Sequence, residues 1–187
     1  MARWIAVVGG FGYAPVAPGT AGSLAGVLLF LALLWLADRS PGLLAAGPGS
    51  LALLLVGYGV LVVGICGLGA WAAGHAERFF ERKDDGRIVI DEVAGQLVTL
   101  WPLPLFLAPA GGSGIFSSPG VGVVTGFVLF RVFDIWKPGA VRWAERRFEG
   151  GLGVMADDVV AGVYGAVTLV VIALSGDLLW ASVGGGA

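Results

Sequence analysis

Residues 51–74, LALLLVGYGVLVVGICGLGAWAAG, contain no Asp, Glu, Lys, Arg or His. A helix needs about 20 apolar residues to cross roughly 30 Å of hydrocarbon, and this stretch is longer than that. It is also apolar all round, whereas a helix on a soluble protein shows one apolar stripe. The remainder of the chain agrees. Of 187 residues 57% are hydrophobic, 33 are glycine and only 13% are charged, about half the usual share of a soluble domain. Mean hydropathy is +0.90. Eleven basic and thirteen acidic side chains are too few to dress a soluble surface of this size. The sequence therefore predicts an all-α integral-membrane helical bundle, in a single domain over residues 1–187.

Working outward from that stretch, the same length criterion predicts five transmembrane or membrane-embedded helices. They are Ala21–Ala37, Leu51–Gly74, Ile88–Leu107, Val121–Trp136 and Asp158–Trp180. The first is opened by Pro18-Gly19-Thr20 and closed by Asp38-Arg39-Ser40-Pro41. With the N-terminus inside, Arg3, Arg78, Arg82, Lys83, Arg87, Lys137, Arg142, Arg146 and Arg147 all fall on the cytoplasmic side. Arg39 alone falls opposite, and Arg131 lies within a span. That asymmetry predicts an N-in, C-out topology. The first twenty residues do not read as a cleavable secretory signal.

Composition excludes several function classes. A net charge of −2 offers no basic surface for nucleic acid. One cysteine, Cys66, and one histidine, His75, exclude a disulfide framework, a cysteine zinc site and any mechanism needing two imidazoles. Cys66 is not followed by the arginine six residues on that a cysteine phosphatase loop requires, since Ala72 stands there. His75 reads best as a polar helix end.

The polar residues then fall at one depth. Thr20 and Ser23 open the first span, Asp91 and Glu92 open the third, Arg131, Asp134 and Lys137 end the fourth, and Asp157 and Asp158 open the fifth. Charges on the amphipathic stretch Val141–Phe148, Glu145 among them, read as headgroup anchors. Asp91, Glu92, Arg131 and Asp134 have apolar neighbours, and an isolated charge there costs about 2.5–3.5 kcal/mol on the lenient insertion scale. A mutual salt bridge would explain them, but a converging site explains them better. Carboxylates with a guanidinium, an ammonium and hydroxyls form a hard-oxygen pocket suited to Mg²⁺ and phosphate. Arg131, Asp134 and Lys137, at i, i+3 and i+6, are expected on neighbouring rows of one helix. The glycine-rich runs 9–20 and 150–158 read as turns, the first feeding a helix N-terminus that favours an anion.

Four motifs together resemble the phosphatidylglycerophosphatase A family. They are residues 14–24 (APVAPGTAGSL), 88–95 (IVIDEVAG), 130–138 (FRVFDIWKP) and 150–162 (GGLGVMADDVVAG). A second proline usual after Lys137-Pro138 is replaced by Gly139. The resemblance implies a Mg²⁺-dependent phosphatase in the bacterial cytoplasmic (inner) membrane. Such an enzyme converts phosphatidylglycerophosphate, its phospholipid substrate, to phosphatidylglycerol and phosphate at the cytoplasmic face. On that reading Asp91, Glu92, Asp134, Asp157 and Asp158 supply metal ligands and the base, while Thr20, Ser23, Arg131 and Lys137 hold the phosphate. Direct attack by water and a carboxylate nucleophile both stay open, as does a homo-oligomer. The family's soluble relatives are compact and all-helical, which implies that some spans here are broken or re-entrant.

Three other readings compete with this one. A transporter would spread its charges along a path, against one depth here. A CDP-alcohol phosphotransferase would share the Asp85-Gly86 pair but needs two further aspartates four apart that are missing. A purely structural subunit is the third. Residues 108–120 carry no functional assignment.

Overall fold

A computed structural model describes residues 1–40, 48–107, 116 and 118–184. Most of the segment 108–120 thus lies outside the described residues. Eight α-helices and one tight turn follow in order: α1 (Ala2–Ala6), a glycine-rich turn (Val8–Tyr13), α2 (Pro18–Arg39), α3 (Pro48–Phe80), α4 (Ile90–Leu100), α5 (Leu103–Leu107), α6 (Pro119–Trp136), α7 (Ala140–Arg147) and α8 (Gly150–Gly184). Among the described residues there is no strand. Four helices, α2, α3, α6 and α8, are long and apolar enough to cross a membrane.

The expected third span is where the structure differs. Instead of one crossing helix, Ile88–Leu107 forms the 11-residue α4, a break at Trp101-Pro102 and the five-residue α5. Proline causes the break. Pro102 has no N–H for the carbonyl of Val98, so the Trp101 N–H tightens onto that carbonyl at 3.3 Å. The Leu97 carbonyl then loses its helical donor and accepts the Tyr58 hydroxyl from α3 at 2.7 Å. An 11-residue apolar helix is too short to span and suits a core position. Nine of its eleven residues are buried, with α2, α3, α6 and α8 packed around it.

Glycines let those neighbours come close. On α2, Gly22 lies against Val89 and Glu92, and Gly26 against Val93 and Gln96. On the other side Gly162 of α8 faces the carbonyl of Gly95, and a Cβ there would sit 2.5 Å from it. Thr99 Oγ1 donates to the Gly95 and Gly162 carbonyls at 3.1 and 3.2 Å, hydrogen-bonding α4 to α8. Helix association in lipid depends on such small-residue packing and interhelical hydrogen bonds, because burying apolar area gives little when lipid is equally apolar. Phe30, Leu97, Leu100, Leu103 and Leu169 fill the core that remains.

Two further boundaries moved. Helix α8 starts at Gly150 and not at Asp158, so Asp157 and Asp158 sit about two turns inside it. The glycine run 150–153 is thus helical: Gly151 lies against the Ala70 carbonyl and Gly74 of α3, an approach no larger residue permits. Helix α6 stops at Trp136, and Lys137 takes a left-handed backbone conformation (φ 49°). The amphipathic α7 agrees with expectation, burying Val141 and Ala144 while exposing Arg142, Trp143, Arg146 and Arg147.

Gly162→Leu should wedge α8 from α4, at a cost of about 1–3 kcal/mol or more for overpacking, and lower the thermal midpoint in detergent. Gly64→Leu, where nothing lies within 4 Å, should leave it unchanged or raise it. Equal effects of the two would contradict this packing.

Candidate active site

Ends of four helices meet at one end of the bundle. The carboxylates of Asp91 and Glu92 come from the first turn of α4, and that of Asp158 comes from α8. One oxygen from each lies within 4.8 Å of the others. Asp91 is 8% and Asp158 4% exposed, and Asp91 Oδ1 and Glu92 Oε2 are buried with no hydrogen-bond partner. Two acidic residues in a first helical turn are favoured by the helix dipole. That alone does not account for buried, unpartnered oxygens converging from two helices.

Beside this cluster Arg131 Nη1 pairs with Asp134 Oδ2 at 2.7 Å and donates to Ser23 Oγ at 3.3 Å. Ser23 in turn donates to the Gly19 carbonyl at 3.0 Å, so one hydroxyl ties α2 to α6. Asp134 lies within electrostatic reach of Glu92 and Asp158. Gly19 abuts the Glu92 carboxylate, and a Cβ there would come within 3.4 Å of Arg131 Nη1. The turn that feeds α2 is strained, with Ala17 left-handed (φ 50°) ahead of Pro18. Thr20 is half-buried in the first turn of α2 and is not drawn into these contacts.

Lys137 and Asp157 form a second group. Lys137 Nζ donates to Asp157 Oδ2 at 2.8 Å and to Glu145 Oε1 at 2.7 Å, joining the end of α6 to α7 and α8. Burial opposes the charge on Lys137, yet its hydrogen bonds to Asp157 and Glu145 hold its pKa above the usual lysine range. The helix end at Trp136 is why Lys137 does not share a row with Arg131 and Asp134. Asp157 and Glu145 also line a polar cavity of about 290 Å³ with Glu77, Lys83 and Asp84.

The sequence pattern did not mark two participants. Glu145 pairs with Lys137 across a helix break, where no spacing rule applies. Gln96 is fully buried one turn beyond Glu92 with both amide atoms unpartnered; a lone amide in an apolar run was its only signal. His75 donates to or accepts from nothing in the cluster; its Nδ1 lies 2.7 Å from the Trp71 carbonyl, as a polar helix end would. Cys66 sits half-buried in an apolar groove beside Val159 and Val163.

Buried carboxylates beside a guanidinium, inside a bundle with four helices of membrane length, define a membrane-type helical protein with an acidic cluster that could hold a metal ion. Comparison with known families agrees. The model of the family described as Phosphatidylglycerophosphatase A matches residues 4–173. Phosphatidylglycerophosphatase A of Escherichia coli strain K12 is 35% identical over 87% of this chain and 77% of its own. The Haemophilus influenzae Rd protein of that name is 31% identical over 88% and 84%. A Bacteroides thetaiotaomicron protein, named "Putative phosphatidylinositol-3-phosphatase", is 37% identical over 87% of each chain. No solved structure matches. The chain belongs to the phosphatidylglycerophosphatase A family.

The loop before α4 holds the cluster's first two carboxylates in place. Asp85 takes Arg87 Nε at 2.6 Å and Nη2 at 2.9 Å, the guanidinium lies 3.8 Å from the Phe80 ring centroid, and Val89 N–H donates to the Ala6 carbonyl at 2.9 Å. Asp85 is therefore a loop lock, away from the three-carboxylate group. The Arg87 hydrogen bonds hold its carboxyl below the usual carboxylate range. A depressed folded value adds stability above the unfolded pKa, about 3.9, and loses it as pH falls through the folded value. Asp85→Asn should thus lower the thermal midpoint near neutral pH, and the gap to wild type should close below about pH 4. A gap that persists in acid would show that the ion pair is not its source.

Proposed function

We propose that this protein hydrolyses the terminal phosphate of phosphatidylglycerophosphate, with Mg²⁺ held by Asp91, Glu92 and Asp158, at the cytoplasmic face of a bacterial inner membrane. The observation that carries this reading is the convergence of three carboxylates, two with unpartnered buried oxygens, beside Arg131. The relatives' names supply the lipid. Membership of a phosphatase family and membrane-length apolar helices support a lipid phosphatase working on a membrane-borne substrate.

The donor set suits the ion. All three groups are hard oxygen donors, and orphaned oxygens are what an ion would satisfy. When bound, Mg²⁺ would polarise a phosphoryl oxygen and offset the charge that develops in the transition state. The chain's own residues do the rest. Arg131 keeps guanidinium donors beyond its contacts to Ser23 and Asp134, and these would neutralise and orient the phosphate. Asp134, outside the three-ligand group, accepts the proton of the attacking water as the new P–O bond forms. The bond to the glycerol oxygen then breaks, and that oxygen takes up the proton that Asp134 received from the water, which returns Asp134 to its carboxylate. Lys137, held by Asp157 and Glu145, stands at the rim, where an incoming phosphate must compete with two carboxylates for it. Thr20 and the first amides of α2, next to Gly19 where it abuts Glu92, would add donors to the phosphate.

The orientation rests on the charge asymmetry. Arg3, Arg78, Arg82, Lys83, Arg87 and the α7 arginines lie on segments at the cluster's end of the bundle. Under the positive-inside rule, that end faces the cytoplasm. The Bacteroides relative makes a phosphorylated inositol lipid the second substrate reading.

In detergent, the purified protein should release phosphate from phosphatidylglycerophosphate with Mg²⁺ and stop with EDTA. Asp158→Asn and Asp91→Asn should each lower kcat by at least about 100-fold, since loss of a supporting partner alone costs about 10–100-fold. Faster release from phosphatidylinositol 3-phosphate would favour the second reading; no release from either lipid with any divalent metal would sink the enzyme reading.

A further inference from the structure

Gln96 is the one fully buried polar side chain, among the described residues, with both its amide nitrogen and its amide oxygen lacking a partner. Nothing in the packing of α4 asks for an amide there. Its neighbours on the helix include the buried hydrophobics Val93, Leu97 and Leu100, with Glu92 one turn before and Thr99 one turn after, and α2 covers it with Gly26, whose Cα faces the Gln96 Cβ and Cγ. A leucine or methionine would fill that volume without stranding a donor and an acceptor. A buried amide with no partner costs its full desolvation, and proteins retain such groups chiefly for function.

Its placement says what that function is. Gln96 is four residues after Glu92 on one helix, the spacing at which side chains meet one above the other. Both lie on the face that α2 covers, Glu92 under Gly22 and Gln96 under Gly26. Glu92 Oε2 is itself buried and unpartnered, so an orphaned acceptor and an orphaned donor lie one turn apart along the same buried seam. Buried carboxylate ligands are held by outer partners of this kind, which fix which oxygen faces the ion.

We propose that Gln96 is a positioning residue for Glu92. Its Nε2 donates to the Glu92 carboxylate when a cation is seated among Asp91, Glu92 and Asp158, leaving the other Glu92 oxygen turned to the ion. This rests on the metal-site reading above. It adds that the α4–α2 seam, and not only the cluster, sets the affinity of the ion.

The experiment compares wild type with Gln96→Met and Gln96→Leu, two apolar variants of similar volume, so that a folding failure in one leaves the other. Three quantities are read in detergent: the thermal midpoint without metal, its rise on adding Mg²⁺, and kcat and KM on phosphatidylglycerophosphate. Metal-free variants should melt at or above the wild-type temperature, because an unpaired amide has been removed. Their Mg²⁺-induced rise should shrink, and kcat should fall about 10- to 100-fold with KM within about twofold. A variant with unchanged metal-induced rise and unchanged kcat would overturn the proposal. So would variants that melt lower than wild type without metal, which would make Gln96 a structural residue. If wild type shows a Mg²⁺-induced rise but releases no phosphate, the substrate reading fails while the shrinkage of that rise still decides the role of Gln96. If wild type shows no rise at all, the metal site and this proposal fail together.

Discussion

Three carboxylates held within 4.8 Å of one another repel, and in a membrane-embedded bundle they must also be kept out of lipid. Most of the architecture meets that demand. Helix α4 is short and buried on nearly every side, so its first turn delivers Asp91 and Glu92 into protein and not to the bilayer. Helix α8 brings Asp158 to the same place because Gly162 and Gly95 allow the two backbones to touch. Compensating charge comes from α6 through Arg131, which is itself oriented by Asp134 and by Ser23 from α2. Remove the close approach of these helices and the carboxylates separate or meet lipid.

The two cations have different tasks because of where α6 ends. Arg131 lies inside the helix and faces the cluster, whereas Lys137 follows the last helical residue and turns away in a left-handed conformation. That turn points its ammonium to Asp157 and Glu145, fastening α7 to the bundle. Helix α7 can then rest its exposed arginines and Trp143 on anionic headgroups while its buried face stays on α8. Lys137 and the amphipathic α7 are thus one mechanical unit.

How far this could be read from the residues depended on the kind of signal. Apolar runs of membrane length are a property of composition, so α2 and α6 were legible to within a few residues, as was the amphipathic α7, while α3 and α8 were legible as spans although α3 runs six residues further and α8 starts eight residues earlier than expected. The third run was not, because its length meets the span criterion while the missing N–H of Pro102 ends the helix there. Glycine misled in the opposite sense: the run 150–153 reads as a turn, yet Gly151 serves close packing on α3. At the site, charges in apolar surroundings pointed to Asp91, Glu92, Arg131 and Asp134, and a shared depth added Asp157 and Asp158. They could not separate Lys137 and Asp157 into a group of their own, since that division follows from a helix end and a pairing across a break. Gln96 was silent for a similar reason, because a single amide carries no charge cost that would single it out.

The small residues and the site chemistry are linked by a common geometry. Gly22 and Gly26 on α2 are one turn apart, and they cover Glu92 and Gln96, which are one turn apart on α4. A side chain at Gly22 would press on the backbone and on Glu92 itself, and one at Gly26 would press on Gln96. The seam buries Glu92 Oε2, which strengthens the electrostatic contacts that this oxygen makes. It also removes the solvent that would otherwise satisfy the Gln96 amide. A sequence selected for stability alone would place a hydrocarbon at position 96 and an alanine wherever α2 tolerated one. Glycine at 22 and 26 is what the close approach of α2 to α4 requires, whereas the amide at 96 is a group that packing alone does not ask for.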